Sequence, residues 1–494
     1  MQGNYLTWVT FVPILGMLGI LFVPKERPDV VKVVAAVATG IQLWISLMIL
    51  FGFDPSVTDM QFVEQYNWIE TFNIQYFMGI DGLSIPMVLL TALLSFIGVF
   101  ASWNINKSVK GYFALFLLLD TGMMGVFVSL DFFLFYIFWE VMLLPMYFLI
   151  GMWGGKQREY AAIKFFLYTF AGSILMLLAM LALYFTQDPH TFNMLELMRG
   201  TYGRTFQIVV FMALFIGFAI KVPVFPFHTW LPLAHVQAPT AISVILAGVL
   251  LKMGTYGLLR ISFPILPEGA IWFALPMAIL GVINIIYGAM CALAQKDIKR
   301  LVAYSSISHM GIVMLGMAAM TKAGMSGAIF QMFNHGTITA MLFLSVGVIY
   351  DRAHHREIDG FGGLATKMPI YTGVVAVAFF AGLGLPGLSG FISEAMTFIG
   401  AFPVYTTLTI IAVFGIILNA GYFLWAFQRI FFGELNQKYV NIPEINGREL
   451  FTLVPLAVIV IFLGIYPMPI LNLFTATVDK LLDVLNFGAT MAMF

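Results

Sequence analysis

Seven ionisable residues stand inside long apolar stretches of this 494-residue chain. Asp120 lies in FALFLLLDTGMMGVF, Glu140 in DFFLFYIFWEVMLLPMYF, Lys221 in FAIKVPVFPFHTWLP and Lys252 in VILAGVLLKMGTYGLL. His309 follows in YSSISHMG, His335 in FQMFNHGTITAM and Glu394 in GLGLPGLSGFISEAM. At the centre of a bilayer an Asp, Lys or Arg costs roughly 2.5–3.5 kcal/mol to insert. Taken singly, each has a bland reading as a buried ion pair or a helix–helix hydrogen bond, and a lone histidine is more often packed than chemical. As a set, spread over several runs in a chain with only 10% charged residues, they exceed what structural pairing needs. Burial disfavours the charged form of any such group, and a nearby opposite charge restores it. Groups of this kind can trade protons when a partner moves. Lysine suits that role because its protonation responds to burial, whereas arginine stays charged. No arginine is expected deep in any run. The chemistry implied is proton transfer through Glu140, Lys221, Lys252, His309, His335 and Glu394, with Asp120 as the weaker candidate.

These side chains need membrane helices to hold them. Hydrophobic residues make up 61% of the chain and the mean hydropathy is +0.96. A soluble protein of this length would need about a quarter charged residues to cover its surface. Fourteen apolar runs approach the length of a helical span. They centre on residues 5–23, 31–52, 84–103, 111–130, 132–152, 161–186, 207–226, 239–261, 269–292, 301–320, 325–350, 370–402, 405–432 and 450–472. The first has neither a basic start nor a small-residue cleavage site and is read as a retained helix. The fold expected is an all-α polytopic membrane protein. Alternating the loops between two sides puts seventeen Lys and Arg on one side and five on the other: Arg199, Arg204, Arg260, Lys322 and Lys480. The positive-inside rule makes the first side cytoplasmic and turns both termini outward. Net charge is zero, so no nucleic-acid footprint exists. The single Cys291 excludes a disulfide framework, a zinc finger, a four-cysteine cluster and CxxCH haem attachment, and no metal or cofactor is expected in the chain.

Two runs are broken. The seventh carries Pro223 and Pro226, and the twelfth carries Gly384, Pro386, Gly387 and Gly390. Proline removes a backbone donor and clashes with the preceding turn. Backbone freed at membrane depth survives only where it lines a protein cavity or finds polar partners. The breaks are five runs apart, an odd number, so runs 4–8 and 9–13 form two five-helix units of opposite orientation. Paired broken helices in inverted repeats mark transporter folds with a site near the midplane. The organisation expected is three helices in 1–110, a first repeat in 111–261, a second in 269–432, and a last helix with a tail in 433–494. GLGLPG at 382–387 matches GxGxxG in letters only, because it interrupts a span rather than following a strand. GMWGGKQ around Lys156 has the wrong spacing for a phosphate loop. His228 and His235 lack a metal-ligand constellation and are expected to cap or bridge the turn after the seventh run. His354 and His355 read as solvated loop residues.

FFLFYIFWEVMLLPMYFLI, KVPVFPFHTWLPLAHVQAPTAISVILAGVLLKMGTYGLLR, QKDIKRLVAYSSISHMG, MFNHGTITAMLFL and GLPGLSGFISE resemble the antiporter-like subunits of respiratory complex I, the NADH-quinone oxidoreductase. The resemblance covers runs 4–13, about two thirds of the chain. It is greatest to the M-type branch, the counterpart of mitochondrial subunit 4. Glu394 stands where the L-type and N-type branches usually carry lysine, the FWEVMLLPMY stretch is M-like, and no long lateral helix is expected after the last run. The resemblance implies a proton-translocating subunit of the membrane arm in a bacterial inner membrane, seated among lipid between L-type and N-type subunits. NADH, FMN, iron–sulfur clusters and quinone would then belong to partner subunits. Glu140 and Lys221 resemble the coupling ion pair, Lys252 the central relay, and His309, His335 and Glu394 the outward path. Leu233 in WLPLAH stands where the family often has Asp. A multisubunit cation/proton antiporter, a hydrogenase or ferredoxin-linked relative, and a scaffold whose charges only hold helices together remain open alternatives.

Overall fold

The computed structural model describes residues 3–491. In lipid every backbone polar group must be satisfied internally, which favours long helices. Among the described residues, thirteen helices are long and apolar enough to cross a membrane. They are α1 (Tyr5–Phe22), α2 (Pro28–Gly52), α3 (Ser84–Ala101), α4 (Val109–Val128), α5 (Phe132–Trp153), α6 (Arg158–Phe185), α7 (Arg204–Lys221), α8 (Thr240–Ile265), α9 (Pro267–Leu293), α10 (Ile298–Ala318), α11 (Lys322–Ala353), α13 (Thr406–Phe431) and α14 (Gly447–Ile465). Between α11 and α13 lies α12, in two halves, Pro369–Gly382 and Ser389–Ala401. Neither half spans alone, and the two together supply the fourteenth crossing. A last helix, α15 (Met468–Met491), follows α14.

Two stretches differ from expectation. Residues 53–83 have no helical period, yet they hold a hairpin of β1 (Gln61–Ile69) and β2 (Ile74–Ile80). Its inward residue Glu64 accepts hydrogen bonds from the free amides of Leu6 (2.7 Å) and Thr7 (3.1 Å), so a carboxylate meets the positive end of α1. The tail after α14 is likewise helical. It lies on the same face as the hairpin, through Lys322–Asp479 at 2.8 Å, Lys480–Asp59 at 3.0 Å and a bond from the Gly82 amide to Thr477 Oγ1 at 3.0 Å.

Burial sorts the helices into an inner row and an outer sleeve. The apolar windows of α8 and α11 are entirely buried and that of α10 is 94% buried, against 33% for α1 and α2. Large apolar side chains of the sleeve, such as Trp44, Leu167 and Ile417, point outward. The inner helices α8, α10 and α11 carry Lys252, His309 and His335.

Candidate functional site

Lys252 is fully buried on α8 and sits beside two stretches of π-helix, Leu246–Leu250 and Leu258–Ser262. A π-turn widens the helix and frees backbone groups. Lys252 Nζ donates to the carbonyl of Ala247, within the first π-turn, at 2.5 Å. The same nitrogen lies 2.6 Å from His335 Nδ1 on α11. The two helices touch because glycines face each other one turn away. A Cβ on Gly336 would meet the Gly248 carbonyl at 3.0 Å, and small residues of this kind let membrane helices close on one another.

From His335 the cluster continues to α10 and α12. The His335 and His309 rings have centroids 5.6 Å apart. His309 Nδ1 lies 2.8 Å from the Ser305 carbonyl. Its Nε2 is 3.0 Å from the Gly382 carbonyl, 3.0 Å from Asn419 Nδ2 and 3.5 Å from Glu394 Oε1. A neutral imidazole has one N–H. With Nδ1 donating to Ser305, Nε2 is free to accept from Asn419, and with a second proton it can donate to Gly382. Both arrangements are built into the surroundings. Glu394 also accepts from Gln331 Nε2 at 3.4 Å, and its second oxygen lies 3.0 Å from where a Cβ on Gly384 would stand. Gly384 has φ +81°, a conformation that favours glycine, so the turn at the break leaves room for the carboxylate. His309, Gln331, His335, Gly382 and Glu394 share a small cavity of about 10 Å³, close to the least that holds one water.

Each break is closed by an asparagine. Asn284 of α9 accepts from the Phe225 amide at 2.8 Å and donates to the Pro223 carbonyl at 3.1 Å, where α7 ends. Asn419 of α13 reaches the Gly382 carbonyl at 3.3 Å, where the first half of α12 ends. Pro386 and Gly387 lie in the exposed part of that turn, with Gly387 at φ +93°. A third interruption occurs at Met142 in α5, one turn before Pro145 and two residues after Glu140.

The geometry departs from the sequence reading at the other end of the series. Glu140 and Lys221 do not form an ion pair. Lys221 Nζ is buried without a hydrogen-bond partner among the described residues and lies 5.2 Å from the Trp139 ring and 5.5 Å from that of Phe165. Glu140 is half-buried, and its Oε1 is also without a hydrogen-bond partner among the described residues. Asp120 lies apart from the cluster, on α4, where Ser95 donates to it at 2.6 Å.

Other corrections concern residues read as peripheral. His235 does not cap the turn. It is fully buried, stacks on Phe343 at 4.6 Å and leaves both ring nitrogens without a hydrogen-bond partner among the described residues. His228 does bridge, with Nε2 3.2 Å from the Tyr287 hydroxyl. His355 is half-buried against Tyr439, whereas His354 is exposed. Lys299 is buried, donating to the Ala238 carbonyl at 2.5 Å. Arg260, assigned to a loop, lies buried near the end of α8 in an ion pair with Asp81. Asn284, Gln331, Asn334 and Asn419 were legible as amides inside apolar runs, but no charge drew notice to them. Among the described residues no group of three or more His, Cys, Asp or Glu is placed to hold a metal ion.

Two family models match the chain. One, described as NADH:quinone oxidoreductase/Mrp antiporter, TM, covers residues 129–419, and one described as NADH-ubiquinone oxidoreductase chain 4, amino terminus, covers residues 30–130. NADH-quinone oxidoreductase subunit M of Rhodobacter capsulatus is 44% identical over 99% of this chain and 98% of that protein. The chain belongs to the NADH-quinone oxidoreductase subunit M family. Among solved structures, a chain of respiratory complex I from Thermus thermophilus with bound NADH matches with a TM-score of 0.88 and 28% identity, over 97% of this chain and 99% of that one. A chain of the Mrp complex from Dietzia sp. matches with a TM-score of 0.84 over 97% of this chain and 98% of that one, at 21% identity, and so shares the fold. The buried cluster of Lys252, His309, His335 and Glu394 falls inside the region of the subunit M family that the antiporter model matches.

Proposed function

We propose that this chain is a proton-translocating, antiporter-like subunit of the membrane arm of NADH-quinone oxidoreductase, seated in a bacterial inner membrane beside L-type and N-type subunits, with NADH oxidation and quinone reduction carried out elsewhere in the complex. The observation that carries the reading is the polar series Lys252, His335, His309 and Glu394, drawn from four helices and buried where α12 breaks.

The chemistry follows from charge in a low dielectric. Lys221 and Glu140 are not paired, so each is costly to keep charged. Bringing them together would make the charged forms of both cheaper, by several kcal/mol in a buried setting. Moving one charge across 100 mV takes about 2.3 kcal/mol, so one such rearrangement is large enough to drive a proton step. A movement of α5 at its Met142 break, set by a neighbouring subunit, would switch the pair. The proton released at Lys221 passes to Lys252, then through His335 and His309 to Glu394, with water in the gaps. The two states of His309 Nε2 let it accept and donate without a change of place. Supporting the outward direction, the side that gains a proton is the one with few basic loops. The interruption after α7, before the short helix Trp230–Gln237, and the one within α12 support reading 111–261 and 269–432 as inverted repeats around this path.

Replacing Glu140 by Gln or Lys221 by Ala should lower NADH-driven proton pumping sharply, since a positioned acid or base usually contributes roughly a hundredfold or more. The measurement is acidification of inverted membrane vesicles at equal assembly of the complex. Full pumping in either variant would remove the mechanism.

A further inference from the structure

A proton on Lys252 has two ways onward. One runs sideways through His335. The other runs straight along α8, past Tyr256 and Arg260, toward the face that carries the hairpin and α15. Residues 252, 256 and 260 are spaced by four and so share one side of the helix. Arg260 lies eight residues beyond Lys252, about 12 Å along the axis.

That second way is filled. Arg260 Nη1 donates to Asp81 Oδ2 at 2.8 Å, and Nη2 donates to Asp81 Oδ1 and to Ser84 Oγ at 3.1 Å. Arg260 Nε donates to the Tyr256 hydroxyl at 3.1 Å, which donates in turn to the Phe127 carbonyl at 3.0 Å. The Leu83 and Ser84 amides close on Asp81 Oδ1 at 3.0 and 3.2 Å. Arg260 and Asp81 are 4% and 3% exposed. The α15 backbone presses on the residue after Asp81, where a Cβ on Gly82 would clash with the Leu473 carbonyl. Burial alone would raise the Asp81 carboxyl, and the charge and hydrogen bonds of Arg260 together with the Ser84 and Leu83 amides more than offset it, holding the group below its ordinary value of 3.8. Asp81 is therefore committed to its partner and cannot take up a passing proton near neutral pH. Arg260 stays charged and cannot release one. Glu394, by contrast, has only long contacts, at 3.4 and 3.5 Å.

We propose that the Arg260–Asp81–Tyr256 network is a seal across the end of α8, which blocks direct escape of a proton from Lys252 and so forces transfer sideways to His335 and Glu394. Fixed arginines that exclude protons and cations from narrow pathways work by the same physics. The proposal rests on the proton-path reading above, and its test is separate because no turnover is involved.

The intact complex is reconstituted in liposomes without NADH or quinone, a potassium diffusion potential is applied, and proton entry is followed with a trapped pH dye. Asp81→Asn should raise this passive leak about tenfold, the effect of lowering a barrier by 1.4 kcal/mol. Adding Lys252→Ala to Asp81→Asn should abolish the extra leak. Asp81→Asn leaves an uncompensated buried arginine and can cost assembly. Tyr256→Phe, which removes one hydroxyl, then carries the test and should raise the leak by a smaller factor. A leak at the wild-type level in whichever variant assembles overturns the seal. So does an increased leak that persists in the presence of Lys252→Ala. Loss of NADH-driven pumping in Glu140→Gln scores the pump reading independently of either result.

Discussion

Glu394 sits where a carboxylate meets an imidazole at 3.5 Å, an amide at 3.4 Å and a glycine turn that leaves space on its far side. A group held this loosely can change protonation without breaking a short bond. If its role is to hold a proton in passage, what matters is that the replacement can also gain and lose one. Lysine can, because its ammonium gains and loses a proton when buried. Glutamine keeps the shape and loses the chemistry. Glu394→Lys should therefore retain more NADH-driven pumping than Glu394→Gln, measured in inverted vesicles at matched assembly, and the reverse order would make Glu394 a structural contact. All seven ionisable positions were visible in the sequence, because a charge inside an apolar run is conspicuous. Their company was not. Glu140 and Lys221 look like an obvious pair in one dimension, yet each carries a buried polar atom without a hydrogen-bond partner among the described residues, and no sequence pattern shows whether two side chains on different helices reach each other.

Helix breaks work only if the backbone they free is satisfied, and the partner is a side chain from another element. Asn284 serves α7 with one acceptor and one donor. Asn284→Ala leaves a buried N–H and a buried C=O unmet, at about 1–3 kcal/mol each. Asn284→Asp keeps the acceptor for Phe225 and loses the donor to Pro223. Both variants should melt below wild type in the purified complex, and Asn284→Asp should recover toward wild type as pH falls, because a protonated carboxyl can again donate to Pro223. At the start of α5, Asp131 caps the helix by accepting from the Leu134 amide at 3.0 Å, and it also accepts from Gln75 at 3.1 Å. Burial pushes its carboxyl up from 3.8 to about 6. The folded protein thus favours the protonated acid. That contribution is fully present below 3.8, declines as pH rises, and is gone above about 6. Asp131→Asn should flatten this part of the stability–pH curve, so the melting difference between variant and wild type changes between pH 4 and 7 and is constant above. Prolines and glycines announced the breaks in α7 and α12. The π-turns of α8 carry no marker residue, Pro145 hid in an apolar run, and the β1–β2 hairpin followed no helical period. These features arise from tertiary packing, which a local reading cannot reach.

Across the whole molecule, charge placement sets which way the helices face. Of the five basic residues assigned to the sparse face, Arg260 is buried, while Lys322 and Lys480 are paired with Asp479 and Asp59. Pairing does not change the comparison, because Arg352, Arg356 and Arg429 on the other face are paired as well, with Glu449, Asp297 and Asp359, and the count of seventeen against five rests on Lys and Arg alone. The positive-inside rule acts through such residues close to helix ends. The face with the hairpin and α15 should then be the outer one, and a proton leaving Glu394 should emerge there. Two single cysteines decide it, in a background where Cys291 is replaced by Ser. Ser56 is exposed beside the hairpin and Lys156 is exposed between α5 and α6, on the opposite face. A membrane-impermeant maleimide should label Ser56→Cys in right-side-out vesicles and Lys156→Cys only in inverted ones. The opposite pattern would turn the molecule over in the membrane. The buried cluster would be unchanged, but Glu394 and the seal at Arg260 would then stand toward the cytoplasm, and the outward direction of pumping would have to be given up.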